Sequence, residues 1–172
     1  PPELDPLRYL PLRNGSVIDL ERCLTVKDIF ELDLRQCRMA VLSACETGFS
    51  DIGSSTDEYV GLPSAFLFAG TRTVVSSLWA VSDLATALLM IRFYELLKDQ
   101  DNPLTYLCPR VSLHQAQIWL RDSKAGELRD WLERMPPSGS RLCLLAYLST
   151  MDREAQPFRQ PQFWAAFCAI GF

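Results

Sequence analysis

Two apolar runs, "MAVL" at residues 39–42 and "TVVSSLW" at residues 73–79, constrain the fold more than any other feature of the chain. Each is nearly continuous rather than alternating and is bounded by charge or by small polar residues, the pattern of a strand buried on both faces. Between them lies "YVGLPSAFLFAG", in which Pro63 suits a first helical turn and Gly70 stops the helix. Two buried strands joined through a helix return to one sheet by a right-handed crossover. The runs therefore predict a βαβ unit in a sheet that is at least partly parallel.

The remaining segments are read around that unit. With 172 residues, 48% of them apolar, the chain suffices for one core, and residues 1–172 are read as a single domain. Residues 1–22 are rich in Pro, Arg and Asp, with "NGS" at 14–16 favouring a small hairpin at a sheet edge. "TVKDIFELDL" predicts a short amphipathic helix covering one sheet face, with Thr25 as N-cap and Asp28 three residues on. After Trp79, Ser82 caps a helix whose first acid is Asp83 and whose Leu84, Ala87, Leu88, Ile91 and Tyr94 fall at helical spacing. "SLHQAQIWLRD" has Ser112 and Gln115 in capping-box positions, "AGELRDWLERM" predicts a helix ended by Pro136 and Pro137, and "RLCLLAYL" reads as helical. "FWAAFCAIGF" predicts a closing strand, Phe163 to Ile170, in the same sheet.

Composition excludes several functions. A net charge of -4, a pI near 5.0 and the lack of any basic stripe leave no surface for nucleic acid. "AFLFAG" is bounded by Pro63 and Gly70, and the helix after Asp83 is interrupted by Arg92, Glu95 and Lys98, so no membrane span is expected. Cys23, Cys37, Cys45, Cys108, Cys143 and Cys168 show no paired spacing, which points to reduced thiols and a cytoplasmic setting. A metal site is not expected, because there is no C-x-x-C and the single histidine, His114, has no ligand partner at suitable spacing. No glycine-rich phosphate loop is present, and no cofactor is expected. The opening "PPELDPLRYLP", without a start methionine, reads as the interior of a longer polypeptide, with residue 1 as a cut.

Ligands and catalytic groups of parallel α/β sheets gather at the carboxyl ends of the strands. Two loops belong there: "CETGFSDIGSSTDEY", beginning at Cys45, and "WAVSD", Trp79 to Asp83. If neighbouring strands carry them, they line one cleft. Cys45 is either a small buried thiol or a nucleophile, and the pattern alone leaves both open. Asp51, Asp57 and Glu58 make the first loop acidic, and Gly48 serves its backbone geometry.

The blocks "VLSACETG", "DEYVGLPSAFLFAG", "VVSSLWAVSD", "ATALLMIRFYELL" and "FWAAFCAIG" occur in an order that resembles the C-terminal part of a CHAT domain, the bacterial caspase-like peptidase family often fused to tetratricopeptide repeats. The resemblance runs from "LTVKDIFELDL" to the end of the chain. It implies an α/β fold of the caspase type, a three-layer sandwich with a mostly parallel central sheet, truncated here at its N-terminal side. It also implies a His-Cys dyad, hydrolysis of a polypeptide substrate through a thioester, and an upstream tetratricopeptide-repeat or other regulatory domain as partner.

By that resemblance Cys45 is the nucleophile, Asp83 borders the specificity pocket where its carboxylate favours Lys or Arg, and Trp79 supplies an aromatic wall. From the residues alone, Asp83 is equally a helix N-terminal acid, and a tryptophan ending a buried strand, as Trp79 does, is more often a core residue. The chain departs from the family at the base: the catalytic histidine of a His-Gly pair should precede the cysteine, and no histidine lies upstream of Cys45. His114, in the first turn of a helix outside the matched blocks, is expected to face solvent. The fragment alone is therefore expected to be inactive, and the competing reading is a pseudo-peptidase interaction module of a repeat-containing signalling protein.

Overall fold

The structure, a computed structural model, describes residues 8–11, 15–43, 61–98 and 108–171. The first segment is a hairpin of β1 (Tyr9–Pro11) and β2 (Val17–Asp19), paired antiparallel with Leu10 opposite Ile18. It forms its own two-stranded sheet rather than an edge of the central one. Arg8 fastens it, reaching Asp19 at 3.1 Å and Glu21 at 3.0 Å.

Helix α1 (Val26–Phe30) starts where the sequence places its cap. The Asp28 amide donates to Thr25 Oγ1 at 3.2 Å while the Thr25 amide donates to the Asp28 carboxylate at 2.7 Å, so two orphan N–H groups are satisfied reciprocally. The expected sheet cover is indirect. Ile29, fully buried, packs with Ala65 and Ala69 of the next helical segment in a small apolar cluster of its own.

The crossover unit follows. β3 (Met39–Leu42), α2 (Leu62–Phe68) and β4 (Thr73–Ser77) appear in the predicted order, and β3 pairs with β4 in parallel, Val41 opposite Val75. Pro63 lies in the first turn of α2, and Gly70 turns the chain at φ +110°. A side chain at Gly70 would also run into the backbone of Arg35, so glycine is required there twice over. β4 is buried throughout, as its apolar run demands, whereas every residue of β3 is only half-buried. The difference is positional: β4 is flanked on both sides, and β3 is an outer strand among the described residues.

α3 (Asp83–Leu97) is the longest helix among the described residues, and α4 (Pro109–Asp122) packs closely on it. Ser82 occupies the N-cap of α3, but its side chain makes no capping bond. α4 begins three residues before the expected Ser112, because Pro109, with its fixed φ and missing N–H, suits a first helical turn. Ser112 instead sits inside the helix, fully buried, its hydroxyl donating to the Leu96 carbonyl at 3.4 Å. α5 (Ala125–Glu133) ends before Pro136 as predicted, and α6 (Gly139–Ser149) is capped by Ser138.

The expected closing strand is divided. Phe163 and Trp164 belong to a short helix, α7 (Pro161–Trp164), and β5 (Phe167–Gly171) begins later, antiparallel to β4 with Ala169 opposite Val75. The order β3-β4-β5 makes a sheet of mixed sense. Register then sorts its side chains: the rung Val41, Val75, Ala169, flanked by Met39 and Phe167, joins the main core with Leu88, Leu89 and Phe93 of α3 and Leu113, Ala116 and Leu120 of α4. Val74 and Ser76 alternate to the opposite face, while α2 contacts β4. The result is a mixed α/β fold.

Candidate functional site

Because β3 and β4 run in parallel with Leu42 opposite Ser76, their carboxyl ends open at one edge of the sheet. Ser43 leaves β3 there, exposed, and the segment from Leu78 to Ser82 leaves β4 beside it. The condition set by the sequence, neighbouring strands for the two loops, is therefore met. Cys45, with Gly48, Asp51, Asp57 and Glu58, lies outside the described residues.

The β4–α3 loop is held at two points. The Leu78 amide donates to the Ala166 carbonyl at 2.7 Å, and the Trp79 indole N–H donates to the Gln162 carbonyl at 3.3 Å. Trp79 is half-buried and packs on the main core. These contacts fix the loop against α7 and the start of β5, and so fix where α3 begins.

The first turns of α3 then form one wall of an open recess of about 270 Å³. Asp83, Thr86, Ala87 and Met90 line it from the helix, Val81 from the loop, Ser43 from the end of β3 and Phe167 from β5. Positions 83, 86, 87 and 90 share a face by the helical repeat, which is why they meet the same space. Asp83 is exposed, while Met90 and Phe167 are 9% and 4% exposed, so the lining grades from charged to apolar. Among the residues singled out from sequence, Asp83 lines this recess and Trp79 stands outside its lining. Thr86, Met90 and Phe167 were missed, although the helical stripe from Asp83 carried the signal for the first two.

His114 is exposed on α4 beside exposed Arg110, Val111 and Gln115, as expected, but it lies in the second turn rather than the first because the helix starts at Pro109. Among the described residues no group of His, Cys, Asp and Glu could hold a metal ion, and no helix is long and apolar enough to cross a membrane. The described cysteines, Cys23, Cys37, Cys108, Cys143 and Cys168, are free thiols.

The pattern that defines the CHAT domain matches residues 8–172. The chain belongs to the CHAT domain family. The assignment places it in the caspase-like clan, with which the mixed α/β architecture and its parallel β3–β4 pair agree at the level of overall architecture. No curated protein and no solved structure matches the chain.

Proposed function

We propose that this CHAT domain is the part of a caspase-like cysteine endopeptidase that carries the nucleophile, Cys45. The observation that carries the reading is the shared edge: the strand leading to Cys45 lies parallel and adjacent to the strand whose loop ends in Asp83, and a recess opens beside them. A thiolate at Cys45 attacks the scissile carbonyl, forming a tetrahedral intermediate that expels the amine and leaves a thioester, which water then hydrolyses. The amine needs a proton and the thiol needs a base. The sole histidine of the chain, His114, sits exposed on α4, so the imidazole for both steps comes from outside these residues, in a His-Gly pair on the N-terminal side.

Asp83 borders the recess and favours a Lys or Arg side chain before the scissile bond. Trp79, outside the lining of the recess, braces the β4–α3 loop through its bond to Gln162. The polypeptide substrate runs along the strand ends, and a tetratricopeptide-repeat or other regulatory domain is the partner that controls access in a bacterial cytoplasm.

The test extends the chain on the N-terminal side of Pro1 and assays hydrolysis of peptides with Arg, Lys or Asp before the cleavage site, with Cys45→Ala as control. Turnover lost in the variant supports the mechanism. Equal turnover by both proteins removes Cys45 from it.

A further inference from the structure

The recess differs from a purely electrostatic subsite. Its one formal charge, Asp83, is exposed, and an ion pair in that setting is screened to a factor of about five or less. Four of its other walls, Val81, Ala87, Met90 and Phe167, are apolar, with Met90 and Phe167 9% and 4% exposed, and the short hydroxyl side chains of Ser43 and Thr86 complete the lining. Each carbon of a linear side chain taken from water onto such walls is worth about fourfold in affinity. Three carbons beyond Cβ therefore give roughly 60-fold, which outweighs the charge.

Shape points the same way. From Asp83 to Met90 the helix face extends about 10 Å, and the residues between them at the wall, Thr86 and Ala87, are small or short. That is a slot for an unbranched chain laid along α3, with the carboxylate at its exposed end, where a lysine ammonium can turn back to reach it.

Resting on the peptidase reading above, we infer that this recess selects the substrate residue before the scissile bond by the length of an unbranched apolar stem, with Ala87, Met90 and Phe167 as specificity-determining residues and Asp83 as a secondary selector. Lysine and its uncharged counterpart norleucine are both accepted, and alanine is not.

Peptidyl acyloxymethyl ketones carrying lysine, norleucine or alanine at that position, reacted near neutral pH with the chain extended on its N-terminal side to carry the His-Gly pair, test this by the rate of adduct formation at Cys45, read by intact mass and peptide mapping. Iodoacetamide serves as the small-reagent control for the thiol. The expected result is norleucine within about fivefold of lysine and both roughly 60-fold above alanine. Ala87→Leu, which fills the slot, should bring the norleucine to alanine ratio below about 5. A retained cooperative urea transition shows that the variant is folded. Lysine exceeding norleucine by more than 100-fold, or no dependence on the side chain, overturns the inference and leaves the peptidase reading intact. Failure of every peptide probe at Cys45 while iodoacetamide still reacts overturns both.

Discussion

Gly171 shows how much one backbone position can demand. It ends β5 at φ +104°, and a Cβ there would drive into the Arg72 carbonyl and press on Leu67. Neither neighbour is a loose surface group, so Gly171→Ala is expected to lower stability by about 2–3 kcal/mol, read as a shifted urea midpoint at unchanged slope. An unshifted midpoint would mean that β5 ends differently in solution. Cys108 is the second residue whose surroundings set its chemistry. It caps α4 from an exposed position, and the amides of Arg110 and then Val111 hold its thiol below the usual range, the Arg110 side chain adding to them. A thiol whose folded value is depressed stabilises the fold above the unfolded thiol's pKa, and that contribution is lost as pH falls through the folded value. Alkylation of Cys108 should accordingly rise at lower pH in the native chain than in the urea-unfolded chain. Arg110→Ala should move the native profile only part of the way back, because the leading cause is backbone. Coincident native and unfolded profiles would remove the helix end from the explanation.

At the scale of elements, the chain is legible where local chemistry and packing agree. Thr25 and Asp28 announce α1, and Pro63 with Gly70 brackets α2, because each signal is satisfied within a few residues. The capping box expected at Ser112 and Gln115 fails because Pro109 starts the helix earlier and the buried face of α4 needs Ser112 inside. The strand expected from Phe163 starts late because "PQFW" closes one helical turn first, a choice that apolar content alone does not reveal. The recess was half legible: Asp83 and its helical stripe follow from spacing, whereas Phe167 reaches it only through the pairing of β5 with β4, a long-range contact. A more local device joins α5 to α6. The Arg141 guanidinium donates to the Met135 carbonyl at 2.9 Å and the Glu133 carbonyl at 3.3 Å, satisfying the end of the preceding helix. Arg141→Met keeps the stem and removes these bonds, and should cost about 1–2 kcal/mol in thermal or urea unfolding. Retention of full stability would show that water caps α5 equally well.

For the whole molecule, the parallel pairing of β3 with β4 brings together segments far apart in sequence, and catalysis extends the same requirement one step further. A cysteine thiol without an imidazole partner titrates near about 8.5, so only a few per cent is thiolate at neutral pH, and nothing protonates the departing amine. The only imidazole of these 172 residues stands exposed on α4 beside Arg110, Val111 and Gln115. On the proposed mechanism the chain by itself should hydrolyse no peptide between pH 6 and 8, while alkylation of Cys45 by iodoacetamide should rise with pH as thiolate forms. His114→Ala should change neither result. Extension by a segment that carries the His-Gly pair should then do two things together: confer turnover near neutrality, and shift the Cys45 alkylation profile to lower pH, since a neighbouring imidazolium favours the thiolate. The two readouts separate the alternatives. Turnover by the isolated chain that disappears with His114→Ala would make His114 the base, whereas an extended chain with an unshifted thiol and no turnover would leave the domain as an interaction module.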